Sequence, residues 1–384
     1  MRNRDRYRAM KQSGKSDLEI EKAFQKPEDM SVFSWKGEFD TIMSPMDSIR
    51  YYKSFMRTGF MAMDPRTGHV KAYVGGIDFN SFKYDMVTTG RRQIGSTMKP
   101  FLYSLAMIEG FSPCDKMKHV QQQLVDENGT PWSPKNAGAK RVGEEVTIQW
   151  GLQQSSNWVT AYLMKHLSPY TLERLLRSYG LKGPIDPVVS MCLGTPDISV
   201  SEMVSAYTVF SHKGIRVEPL VVTHIEDQLG NTIATFTPSI SEVLTEEATY
   251  KTWGMLRAVM DGGTGSRVRY RYGVKAPMGG KTGTSQNHSD GWFIGFTPSL
   301  TAGCWVGGED RSIRFDRMAD GQGAAMALPI FGLFMQKVYA NKTLGYSETE
   351  NFEISQNFVP CPSSSEEGRM TDDADPMDLD DFFN

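Results

Sequence analysis

The chain has few cysteines, few histidines, no excess of basic charge and no long apolar run. Its four cysteines among 384 residues, Cys114, Cys192, Cys304 and Cys361, are scattered, with no CxxC pair and no zinc spacing. Four free or buried thiols are therefore expected, not a disulfide framework. The six histidines form no HExxH pair and no cluster, so no metal site is expected. The 42 Lys and Arg stand against 45 Asp and Glu, a net charge of -3. Nothing in that balance favours nucleic acid, whose binders present a basic face. No apolar run approaches the ~20 residues that cross a bilayer. The N-terminus, MRNRDRYRAMKQSGKSD, lacks the apolar core of a secretory signal. As written, the chain is expected to carry neither an export signal nor an anchor.

What is present suffices for a sizeable core. At 39% hydrophobic and 23% charged residues, the length suits two or three domains or one large enzyme domain. Residues 1–55 are polar and mixed, and read as a linker or small accessory segment with strand character around Val32 to Trp35. GFMAMDPRTGHVKAYVGG then reads as a β-hairpin turning at Asp64-Pro65-Arg66-Thr67-Gly68. Val70, Ala72 and Val74 alternate with Lys71 and Tyr73, the period of a half-buried strand.

After Gly95 the pattern turns helical, with an apolar face at Phe101, Leu102, Leu105, Ala106 and Ile108 and a stop at Gly110. Residues 112–145 are loop-rich. Val146 to Tyr179 suggests two helices broken near Ser168-Pro169, and a further helix spans Ser199 to His212. A hairpin follows in PLVVTHIED and NTIATF, then a helix in EEATYKTWGMLRAVMDGG. MGGKTGTSQ, DGWFIGFTP and LTAGCWVGG are three short strands of an antiparallel meander. Strands at both ends and helices between give an α+β (mixed α/β) order: an antiparallel sheet built from both chain ends, flanked by helices, with an inserted helical lobe. From Ser363 onward the acidic stretch with Asp372, Asp373, Asp375, Asp378, Asp380 and Asp381 cannot bury enough surface to fold alone. It reads as a solvated tail, and nothing supports a docking motif around Leu379, Phe382 and Phe383.

Three short motifs carry the chemistry. In Ser96-Thr97-Met98-Lys99, residues three apart share a helix face, so the Lys99 amine faces the Ser96 hydroxyl. Pro100 fixes the start of that helix, because proline is best tolerated in the first turn. Ser96 then lies at the helix N-terminus, where developing negative charge is favoured, and a neutral lysine can take its proton. Alone, this motif is a weak signal. In Ser155-Ser156-Asn157, a serine and an asparagine two apart can enter one cleft, although helix capping explains the same residues. In Lys281-Thr282-Gly283-Thr284, a strand puts Lys281 and Gly283 on one side and Thr282 and Thr284 on the other. Gly283 leaves room for close backbone approach of an extended substrate. A phosphate loop fails on spacing, because its other glycine would fall on Lys275.

Serine-x-x-lysine, then serine-x-asparagine, then lysine-threonine-glycine is the order found in penicillin-binding proteins and class A β-lactamases. The chain resembles the transpeptidase domain of class A (bifunctional) penicillin-binding proteins. The likeness covers roughly residues 56–345, through MDPRTGHVKAYVGG, GRRQIGSTMKPFLYSLA, WSPKNAG, LQQSSNWVTAYL, SMCLGTPDISVSEMVSAYTVFSHKG, MDGGTGS and GGKTGTSQNHSDGWFIGFTP. The resemblance implies the serine acyltransferase fold of that family. It implies Ser96 as acylated nucleophile and Lys99 as general base, with Ser155 relaying a proton and Asn157 holding substrate and Lys99. Lys281, Thr282, Gly283 and Thr284 would bind substrate, and the N–H groups of Ser96 and Thr284 would form the oxyanion hole. The implied partners are D-Ala-D-Ala stem peptides and β-lactams, with other cell-wall synthesis proteins as a further class, and no cofactor.

Family members usually begin with a membrane helix and a glycosyltransferase domain. The implied layout here is a connector over 1–55, a transpeptidase domain over 56–345, and an extension with the acidic tail over 346–384. The chain is then expected to be part of a longer protein working on the periplasmic side of the inner membrane. A serine β-lactamase, a D,D-carboxypeptidase, a β-lactam sensor and a non-catalytic binding module remain alternatives.

Overall fold

The computed structural model describes residues 5–138 and 140–354. Its centre is a five-stranded antiparallel sheet. In chain order its strands are β1 (Arg57–Met63), β2 (Val70–Val74), β3 (Gly279–Thr284), β4 (Asp290–Phe296) and β5 (Thr301–Gly307). In space the order is β3-β4-β5-β1-β2, so the last strands of the chain pair with the first, Thr301 opposite Met63 and Gly307 opposite Arg57. Both chain ends thus close one sheet around the inserted helical lobe, as the element order implied.

The sheet is apolar on both faces because side chains alternate along each strand. On β1, Met61 and Met63 join the core shared with the helical lobe, whereas Phe60 and Ala62 join a second core on the opposite face. On β4, Trp292, Ile294 and Phe296 go to the first core and Phe293 to the second. The lobe contributes α1 (Lys99–Ile108), α2 (Ile148–Gln153), α3 (Asn157–His166), α4 (Val200–Ser211) and α5 (Glu246–Gly262). The second face is covered by α6 (Leu328–Ala340), whose Phe331 ring packs tilted against Phe293 at 4.7 Å.

Several local expectations need correction. Residues 146–179 hold three helices, Ile148–Gln153, Asn157–His166 and Pro169–Ser178. The added break at 154–156 arises because Ser155 adopts a left-handed φ of 56°. Strand character near Val32 to Trp35 becomes a hairpin of Glu28–Val32 with Phe39–Met43, so Trp35 lies in the turn. Residues 5–54 also hold three helices, and the aromatic rings of Phe33 and Tyr52 pack on Phe82 of the body at 5.1 and 5.7 Å. The stretch Gly323–Ala340 has the length and composition of a membrane span, but half of it is buried in the fold, as in a core helix. Cys114 is disulfide-bonded, not a free thiol, whereas Cys192 and Cys304 are free and buried. The acidic tail and the residues Leu379, Phe382 and Phe383 lie outside the described residues.

Candidate active site

Ser96 stands in a single 3-10 turn, Gly95–Met98, that runs directly into α1. The turn is fixed from three sides. The Ile94 carbonyl accepts the Thr97 N–H at 3.3 Å and the Thr97 hydroxyl at 2.7 Å. The Thr97 carbonyl accepts the buried Tyr207 hydroxyl at 2.8 Å. Gly95 has φ +52°, and a Cβ there would lie 2.5 Å from the Thr284 carbonyl oxygen. Only glycine allows both that conformation and that approach. The turn carrying Ser96 is thereby pressed against the end of β3. Pro100 sits in the first turn of α1, as its missing N–H requires.

Lys99, one residue before that proline, is fully buried. Its Nζ donates to the Ser155 carbonyl at 2.6 Å, to Asn157 Oδ1 at 2.7 Å and to Ser155 Oγ at 3.3 Å. Burial pushes the Lys99 amine down to about 7. The neighbouring Cys192 thiol is itself raised to about 12 by burial, so at neutral pH it stays uncharged and gives Lys99 no counter-ion. An ammonium with good acceptors but no anion is the state from which a proton is readily lost.

The turn 154–156 explains how one tripeptide serves two purposes. Ser156 is the N-cap of α3, accepting the Val159 N–H at 3.3 Å. The capping expectation therefore holds for the middle residue. Ser155, bent into the left-handed region, turns both its carbonyl and its hydroxyl toward Lys99. Strain of this kind costs about 1–3 kcal/mol and collects at functional sites. Asn157, the first helical residue, aims Oδ1 at Lys99 while its Nδ2 donates to the Lys135 carbonyl at 2.7 Å.

On β3, Lys281 is fully buried and donates to Ser155 Oγ at 2.9 Å. Burial first, and the Lys99 charge second, hold its amine well below the ordinary lysine range. Thr282 donates to the Thr264 hydroxyl at 2.8 Å, and the Thr284 hydroxyl accepts the Gly323 N–H at 3.1 Å. Gly283 lacks a side chain for the protein's own packing: a Cβ there would lie 2.7 Å from the Ile94 carbonyl and 2.8 Å from the Thr97 methyl. The close approach at Gly283 is thus made by the turn carrying Ser96.

All eight residues singled out in the sequence belong to segments that meet in one place. Several partners were not singled out. Thr264 and Asn136 lie inside the quoted segments MDGGTGS and WSPKNAG, but neither had been given a role. Asp290, fully buried, accepts from Arg92 Nε at 2.6 Å, Trp305 Nε1 at 3.0 Å, Ser285 at 2.9 Å and Ser289 at 2.7 Å. It ties the segment after Thr284 to Arg92, four residues before Ser96. No sequence signal marked it, since a lone aspartate near a turn has many explanations. Among the described residues, no group of three or more His, Cys, Asp or Glu side chains is placed to hold a metal ion.

Comparison with known proteins identifies the family of the chain. Residues 58–307 match the penicillin-binding protein transpeptidase domain and residues 1–56 the penicillin-binding protein middle domain. Penicillin-binding protein 1A of Rickettsia conorii is 32% identical over 306 residues, covering 73% of this chain and 38% of that protein. Penicillin-binding protein 2D of Bacillus subtilis is 31% identical over 267 residues, covering 67% of this chain and 38% of that protein. The chain therefore spans well under half the length of these relatives. Among solved structures, penicillin-binding protein 1A of Haemophilus influenzae superposes with a TM-score of 0.71 at 21% identity, covering 79% of this chain and 49% of that one. PonA1 of Mycobacterium tuberculosis in complex with penicillin V superposes with a TM-score of 0.65 at 19% identity, covering 93% and 96%. The chain belongs to the family of penicillin-binding protein transpeptidase domains.

Proposed function

We propose that this chain supplies the D,D-transpeptidase activity of a longer cell-wall synthesis enzyme. The observation that carries the reading is Lys99: a buried amine held near neutrality, one helical turn from Ser96 and fixed by Ser155 and Asn157. Lys99 takes the Ser96 proton, and Ser96 Oγ attacks the carbonyl carbon of the D-Ala-D-Ala peptide bond. The negative charge passes to the carbonyl oxygen, opposite the N–H groups of Ser96 and Thr284. Each such donor is commonly worth about 3 kcal/mol in the transition state. The packing of Gly95 on Thr284 supports placing those two N–H groups together.

When the C–N bond breaks, Ser155 passes a proton to the leaving D-Ala nitrogen, and its hydrogen bonds to both lysines suit that relay. An amine of a second stem peptide then attacks the ester carbonyl, forms the new amide and returns the proton to Ser96 oxygen. Asn157 holds the substrate amide, and Lys281, Thr282 and Thr284 meet the terminal carboxylate, with Gly283 permitting the tight packing of β3. A β-lactam enters the first step, consistent with the penicillin V complex of the PonA1 neighbour.

Residues 1–55 would serve as connector, 56–345 as the catalytic domain and 346–384 as an extension, a layout supported by the two family matches. The bonded Cys114 suits an oxidising compartment such as the periplasm. The test is a synthetic pentapeptide ending in D-Ala-D-Ala, supplied with an amine acceptor and followed by mass spectrometry. Release of D-Ala together with an acceptor-linked tetrapeptide is expected. Release of D-Ala with only the free tetrapeptide would replace the reading by a carboxypeptidase, and no release would reject both.

A further inference from the structure

Behind the 154–156 turn lies a buried histidine that the reaction above does not use. His119 is 1% exposed and wedged between two indoles, its ring 5.0 Å from Trp150 and 4.9 Å from Trp158. Its Nε2 is 2.9 Å from Ser156 Oγ and 3.3 Å from Asn136 Nδ2, and its Nδ1 is 3.3 Å from the Arg141 carbonyl.

The proton positions in this network follow from groups that can act in one way only. The Asn157 backbone N–H is a donor, and it meets Asn136 Oδ1 at 2.8 Å. That fixes the orientation of the Asn136 amide, so its Nδ2 faces His119 and must donate. His119 Nε2 is therefore an acceptor, and a neutral ring carries its proton on Nδ1, directed at the Arg141 carbonyl. Ser156 Oγ accepts the Val159 N–H, which leaves its own proton for His119 Nε2. One ring nitrogen thus receives two hydrogen bonds, and each leads back to the tripeptide: one through Ser156, the other through Asn136 to the backbone of Asn157.

We propose that His119, in its neutral Nδ1–H tautomer, is the positioning residue of the Ser155–Asn157 turn, holding Asn157 and through it Lys99 in the reactive arrangement. This rests on the transpeptidase reading for the role of Lys99. A proton on Nε2 would face Asn136 Nδ2, donor against donor, and would remove the acceptor that Ser156 uses. It would also add positive charge beside the N-terminus of α3, which disfavours a cation. Charged residues of the adjoining segments are Arg141, which lies over Trp150 and pairs with Glu144, Lys135, whose carbonyl anchors Asn157, and the paired Lys118 and Glu145. Among the described residues, the hydrogen-bond partners of the ring nitrogens are Ser156, Asn136 and the Arg141 carbonyl, and none of them is a carboxylate.

The test uses the whole chain and a fluorescent penicillin, reading the second-order acylation rate with thermal stability alongside. His119→Phe keeps an aromatic ring between Trp150 and Trp158 and removes the acceptor. His119→Gln places Oε1 near the Nε2 position and restores it. Expected are a 10- to 100-fold loss for His119→Phe and recovery to within about fivefold of wild type for His119→Gln. Asn136→Ala, which cuts the second arm at a half-buried position, should lose at least 10-fold and carries the test if His119→Phe does not fold. Wild-type rates in both His119→Phe and Asn136→Ala would overturn the proposal, as would an equal loss in His119→Gln and His119→Phe at equal stability. Nitrogen-15 NMR of the ring gives a separate reading: a protonated Nε2 at neutral pH would overturn the tautomer. A wild-type chain that is not acylated at all would instead reject the transpeptidase reading.

Discussion

Lys99 and Lys281, 182 positions apart in the sequence, donate to the same hydroxyl, Ser155 Oγ, at 3.3 and 2.9 Å. Two buried amines on one oxygen cannot both hold a full charge at little cost: burial lowers both, and the Lys99 charge lowers Lys281 further. The pair is therefore poised to give up a proton, and a carboxylate beside Lys281 would favour its charged form. On the proposed reading, base and carboxylate anchor are two states of one coupled pair.

The first consequence is a pH dependence. A general base must be neutral to act, and Lys99 is lowered to about 7 by burial. Its neutral fraction grows as pH rises through 7 and is lost as pH falls below it. The acylation rate by penicillin, measured between pH 5.5 and 8.5, should climb about tenfold from pH 6 to 8. A flat profile would remove Lys99 from the role of base.

Lys281 should matter most for substrates that bring a carboxylate. Lys281→Ala is expected to slow acylation by a free-acid penicillin by about 100-fold, the scale of one charge-assisted contact of 1.5–3 kcal/mol. Acylation by the corresponding methyl ester should fall much less. Equal losses for acid and ester, in parallel kinetic runs, would mean that Lys281 does not read the carboxylate.

Gly95 tests the contact between the nucleophile turn and β3. Gly95→Ala must adopt φ near +52° and place a methyl 2.5 Å from the Thr284 carbonyl. The conformation alone costs about 1–3 kcal/mol. Urea unfolding should show a loss of at least that size, and acylation should fall more than 100-fold because Ser96 and Thr284 separate. Retained acylation with normal stability would show that the two segments need not touch.

Much of this was legible in the sequence, for reasons particular residues make plain. The hairpin at Asp64 to Gly68, the α4 helix behind Ser199 and the terminal meander all declared themselves through turn residues and periodicity. So did the order of the three motifs. The cap at Ser156 was signalled by its residue type, but the left-handed φ of Ser155 was hidden, because a non-glycine residue in that region gives no compositional signal. Helix α6 was missed because a continuous apolar run such as LPIFGLF lacks a polar face to reveal its period. His119, Asp290 and Thr264 act through partners far away in the chain, and no spacing rule reaches that distance.

Asp290 provides a check on stability independent of catalysis. Its carboxylate is fully buried with four donors, including Arg92 Nε, and Arg92 Nη2 is buried without a hydrogen-bond partner among the described residues. Asp290→Ala leaves the arginine charge uncompensated, and breaking such a pair costs about 3–5 kcal/mol. Denaturant unfolding should show a loss of that order, with a smaller one for Asp290→Asn. A loss below about 1 kcal/mol would mean that the arginine finds solvent or another partner.

The most direct test of the central claim is the mass of the intact protein after exposure to a penicillin, for wild type and Ser96→Ala. The account predicts one adduct on wild type, mapped to Ser96 and lasting for many minutes, and none on the variant. Drug consumed with no adduct accumulating would make the chain a hydrolase of β-lactams, and an adduct that survives Ser96→Ala would contradict the assignment of the nucleophile.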